Sequence, residues 1–97
     1  MLVDFEVHNS DGQATVSHVG ILWVGRGECE LNARLDVNVS IDENSFVMNY
    51  LGDEFSVVMN GIFKSSSLVT GVMNIKIEDC GDHDINWQAV PKTSISQ

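Results

Sequence analysis

From Cys29 to Ile41 every odd-numbered residue is apolar, and from Glu28 to Asp42 every even-numbered residue is polar. A helix would scatter Cys29, Leu31, Ala33, Leu35, Val37, Val39 and Ile41 around its whole surface. A strand places them on one face. Seven inward positions in register exceed the usual length of a strand, so a bend or bulge is expected near Ala33 to Asp36.

The same period recurs along the chain. Val3, Phe5 and Val7 alternate with Asp4, Glu6 and His8, and Asn9-Ser10-Asp11-Gly12 reads as a turn in which Gly12 takes positive φ. Ala14 to Val24 ends almost wholly apolar, the pattern of a strand covered on both faces. Phe46, Met48 and Tyr50 form one face. Phe55, Val57, Met59, Gly61 and Phe63 form another, then Gly71, Met73, Ile75 and Ile77, then Ile85, Trp87 and Ala89. Turn residues separate these runs, and no stretch has helical periodicity. The expected fold is all-β: a single antiparallel β-sandwich of about seven or eight strands over residues 1–91, with 92–97 as a tail. A small β-barrel is the alternative with the same periodicity.

Charge excludes some partners. Fourteen carboxylates face five basic residues, for a net charge of −9. Arg26, Arg34, Lys64, Lys76 and Lys92 are scattered, whereas neutralising phosphates takes clustered cations. Binding to nucleic acid is therefore not expected, and no apolar run is long enough for a membrane helix. The opening residues lack the basic flank and apolar stretch of a signal peptide. The acidity would suit a basic protein partner.

Cys29 and Cys80 permit one bridge or stand as two buried thiols. Catalysis finds little support. Cys29 lies between Glu28 and Glu30, neighbours that disfavour a thiolate, and there is no Gly-x-Ser-x-Gly elbow or phosphate-cradling glycine loop. No enzyme activity is expected. The most site-like stretch is Glu78 to Asp84, read as a polar loop. Asp79, Asp82 and Asp84 supply closely spaced oxygens of the kind Ca²⁺ takes. An EF-hand pattern begins at Asp82 and then fails, because Trp87 stands where its glycine belongs. The competing reading is a solvated acidic turn. Cys80 and His83 are two ligand types for zinc, but a structural site needs four, and His8 and His18 are distant in sequence. Trp23 and Trp87 are expected in the core rather than as a sugar-stacking platform.

The second half carries a run of short motifs: Gly61-Ile62-Phe63, Ser65-Ser66-Ser67, Gly71-Val72-Met73-Asn74-Ile75, Cys80 and a closing Trp87-Gln88-Ala89. Together with Val3-Asp4-Phe5-Glu6-Val7 they resemble small β-sandwich domains of secreted and surface proteins of bacteria. The resemblance implies a Cys29–Cys80 disulfide and an extracellular or cell-surface location. It implies a non-enzymatic binding or accessory role toward a protein or glycan, and no particular chemistry. A cytoplasmic acidic interaction module, of the inhibitor or immunity type, is the competing expectation. A homodimer formed by strand pairing, for example along Phe55 to Phe63, is a further one.

Overall fold

The computed structural model describes residues 1–27 and 29–93. Seven antiparallel strands form two sheets of three and four, with no helix among the described residues. The first sheet holds β1 (Leu2–Ser10), β2 (Gln13–Val24) and β3 (Glu30–Ser40). The second holds β4 (Ser45–Leu51), β5 (Phe55–Ser65), β6 (Leu68–Ile77) and β7 (Gly81–Ala89). Each sheet is a meander in which neighbours along the chain pair, as short turns dictate. The two pack face to face as a small β-sandwich.

The turns follow from residue chemistry. Asp11 and Gly12 both take positive φ, 53° and 81°, the requirement of a type I′ hairpin. Glu43 and Asn44 do the same at 51° and 66°, between the bridged residues Asp42 and Ser45, and carry the chain from the first sheet to the second.

The core contains the faces expected from alternation. Phe5, Val16, Val19, Ile21, Leu31 and Leu35 from the first sheet meet Phe46, Met48, Val57, Met59, Met73 and Trp87 from the second. One cross-strand row of the second sheet reads Phe46, Gly61, Gly71, Trp87. The two glycines leave space for the flanking rings. A Cβ on Gly61 would run into the Phe46 ring, and one on Gly71 into the carbonyl oxygen of Asn60. Phe5 reaches across from the opposite sheet to stand edge-on to Phe46 and Trp87, 5.7 and 6.2 Å away.

Three expectations need correction. The apolar end of β2 is not covered on both faces, because Leu22 and Val24 are exposed. The run looks continuous because a bulge at His18 switches the inward parity from Val16 to Val19, Ile21 and Trp23. The irregularity of β3, expected near Ala33 to Asp36, falls at Asp36–Val37, opposite that bulge. The strand from Phe55 to Phe63 lies between β4 and β6, so its backbone is already paired and offers no edge to a second copy. Finally, Lys92 and Thr93 are not tail. They form a short strand, β8 (Lys92–Thr93), parallel to β1 against Glu6 and Val7. Pro91 ends β7, and the chain then continues along the edge that β1 leaves unpaired. Residues 94–97 of the expected tail lie outside the described residues.

Candidate functional site

The two cysteines are bridged. Cys29 follows β2 and Cys80 sits in the β6–β7 turn, with Cα atoms 5.8 Å apart and a sequence separation of 51. The bond joins the two sheets at one end of the sandwich. His83 braces it: its Nε2 lies 2.8 Å from the Cys80 carbonyl, and its ring packs 4.8 Å from that of Trp23. Cys80 is thus no thiolate ligand, and His83 faces a carbonyl and an indole.

The acidic stretch is a strand more than a loop. β7 begins at Gly81, so Asp82 and Asp84 lie two residues apart on its outer face. Both accept hydrogen bonds from Asn74 Nδ2 on β6. Asp79 stands in the tight turn before them at φ 68°. The chain therefore does not wrap these three carboxylates around a common centre as an EF-hand loop does.

A different cluster does converge. Glu6, His8 and His18 each bring a ligand-type atom within 4.8 Å of the others, on the outer face of the first sheet. Glu6 and His8 are two apart on β1 and share a face, with Glu6 Oε1 and His8 Nε2 separated by 3.7 Å. His18 joins them from β2, its ring 6.4 Å from that of His8. The bulge makes this possible. On the β1 side, His18 and Val19 together oppose Phe5 alone, and His18 turns outward at φ 50° while Val19 turns in. Asp36 of β3 adds a carboxylate oxygen 3.6 Å from His18 Nδ1. The visible sequence trace of this arrangement is the switch from even to odd apolar positions between Val16 and Val19.

The outer face of the second sheet is of another kind. Exposed Val47, Val58, Ile62 and Val72 alternate with carboxamides and hydroxyls. A shallow depression there is lined by Asn60, Ile62, Thr70, Val72, Asn86 and Gln88. At its floor Asn60 Oδ1 accepts the Val72 N–H at 3.0 Å, so a side chain stands in the sheet ladder.

Both tryptophans are core residues, Trp23 at 9% and Trp87 at 5% exposure, which removes them as an exposed platform. No protein-family model matches the chain, and neither curated proteins nor solved structures gave a match.

Proposed function

We propose that this chain is a non-enzymatic binding or accessory domain of a secreted or surface bacterial protein. Its ligand face is the outer surface of β4–β7, and its ligand a glycan. The observation that carries the reading is the Cys29–Cys80 bridge between the sheets. Structural disulfides persist in oxidising compartments, and small secreted domains use them to supplement a modest core. The face itself argues for a neutral, hydroxyl-rich ligand. Asn60, Asn86 and Gln88 each offer donors and acceptors beside the aliphatic Ile62 and Val72.

The acids weigh against the cytoplasmic alternative. Asp42 and Glu43 precede β4, and Asp53 and Glu54 follow it. A seven-residue strand separates the two pairs by about 20 Å. Asp36 lies on the other sheet. These acids form no single surface for a basic partner.

Two measurements test the reading. Intact mass after alkylation without reduction should show no modified thiol, and two free thiols in the folded protein would remove the compartment argument. Amide NMR titration with neutral oligosaccharides should move Asn60, Thr70, Val72, Asn86 and Gln88, and Asn86→Ala with Gln88→Ala should abolish the shifts. Shifts confined to the first sheet, or none across a broad glycan panel, would overturn the assignment of the face.

A further inference from the structure

We infer that Glu6, His8 and His18 form a binding site for a divalent transition-metal ion of the Zn²⁺ or Cu²⁺ type, with Asp36 as a charged neighbour that favours the cation. The donor set is two imidazoles and a carboxylate, which suits these ions rather than Ca²⁺ or Mg²⁺. Their ligand atoms already lie within 4.8 Å of one another. Tetrahedral zinc, with bonds of about 2.0–2.1 Å, holds its ligand atoms roughly 3.4 Å apart. The Glu6–His8 separation of 3.7 Å is close to that. The remaining closure needs only side-chain rotation, because Glu6, His8 and His18 are 38%, 40% and 56% exposed. Three protein ligands leave at least one coordination position open to water or to a group on a partner.

The backbone supplies an independent observation. His18 holds φ 50° inside a strand, a left-handed conformation unfavourable for an L-residue that glycine adopts freely. Strain of this kind concentrates at sites where a side chain must be aimed. Here the strained residue is the one whose ring completes the cluster. Glu6 and Asp36 add two carboxylates to the site, whose field draws a dication.

Zinc binding to the untagged chain, followed by calorimetry and by histidine ring NMR, tests this. The expected result is one saturable Zn²⁺ ion, with the rings of His8 and His18 shifting and that of His83 staying put. His8→Ala and His18→Gly should each weaken binding by on the order of tenfold or more, at least the scale seen on losing a residue that only supports a metal ligand. His18→Gly is the informative variant, since glycine suits the backbone there and the fold is retained, as its amide spectrum will report. His83→Ala should bind as the parent does. Absence of saturable binding at millimolar Zn²⁺ would overturn the inference. So would parental affinity in His18→Gly, or affinity lost instead through Asp82→Asn and Asp84→Asn.

Discussion

The two sheets share one core and present opposite outer faces. The first has an ionic stretch, in which Asp4, Glu6, His8, His18, Arg34 and Asp36 stand on three adjacent strands, with exposed Leu2, Leu22 and Val24 toward one end. The second carries Val47, Val58, Ile62 and Val72 among Asn49, Asn60, Asn86 and Gln88. Their backbones differ too. In the first sheet both interfaces of β2 shift register beside His18. In the second, β4 and β5 stay in step from Ser45–Ile62 to Leu51–Ser56, and β6 and β7 from Val69–Ala89 to Ile77–Gly81, while the one shift, between β5 and β6, falls at Phe63–Ser65 beside their hairpin turn. A regular sheet lays its side chains out in rows, which makes a broad, repetitive surface. A bulge breaks the rows and gathers side chains that alternation would keep apart, which makes a point-like site. On the proposed reading, one fold thus presents a face for an extended ligand and a cluster for an ion.

The largest expected effect comes from uncoupling the sheets. Replacing both cysteines, Cys29→Ser with Cys80→Ser, frees a loop spanning a sequence separation of 51. On the chain-entropy model this costs about 4 kcal/mol. Small domains have about 5–15 kcal/mol in total, so the reduced protein should unfold at a far lower urea midpoint. A midpoint within experimental error of the parent's would mean that packing alone holds the two faces in place.

Next in size is Gly71→Ala. The new methyl meets a backbone oxygen, that of Asn60, and the Trp87 ring lies 3.0 Å from the same point. Neither can rotate away, and overpacking of this kind costs about 3 kcal/mol. Because Asn60 and Gly71 also line the depression, the variant should disturb the amide signals of Asn60, Val72 and Asn86. Unchanged stability would show that β5 and β6 are looser at this point than the geometry implies. On the ionic side, His18→Gly should stabilise the protein by about 0.5–1 kcal/mol, since it relieves a left-handed L-residue. The melting temperature should rise by roughly 4 °C. A fall would mean that the imidazole itself supports the bulge.

How much of this was legible in the residues divides along the same line. Period-2 alternation exposes the inward positions of β3 and β5 and most of those of β6 and β7, because a strand with one buried face must alternate, but it leaves out Val69 and His83. The resemblance carried by Gly61-Ile62-Phe63 through Trp87-Gln88-Ala89 implied the disulfide that joins the two sheets. The Asp11-Gly12 turn was legible because a type I′ hairpin admits few residue types at positive φ. What alternation hides is register. His18 sits ten residues from His8, and only the cross-strand pairing of β1 with β2, shifted by one at the bulge, makes them neighbours. The misreading of Glu78 to Asp84 has the same origin. Its acids read as a loop because charge masks a strand whose outer face is wet. That β7 starts at Gly81 follows from its partner Ile77 on β6, a long-range fact that no local pattern states.

The smallest effect gives the sharpest comparison, because it repeats the Gly71 substitution on the other sheet. Gly20 lies in a row between Asp4 and Arg34, and their side chains close over it, with Arg34 Nη1 3.1 Å from Asp4 Oδ1. A Cβ on Gly20 would meet both partners at 2.8 Å, but these atoms are the ends of flexible side chains. They can swing into solvent, since Arg34 is 75% exposed. The loss is a surface ion pair of at most about 1 kcal/mol. The gain is the reduced freedom of alanine in the unfolded chain, about 0.4–1 kcal/mol. Gly20→Ala should therefore leave stability within about 0.5 kcal/mol of the parent's while making it less sensitive to salt. Urea midpoints at low and high ionic strength would read both effects. A large loss at Gly20 would show that the Asp4–Arg34 pair fixes the register of the first sheet. A near-zero change beside a large loss at Gly71 would show that the two rows are closed differently: the outer row at Gly20 by mobile charges, the inner row at Gly71 by backbone and a buried ring.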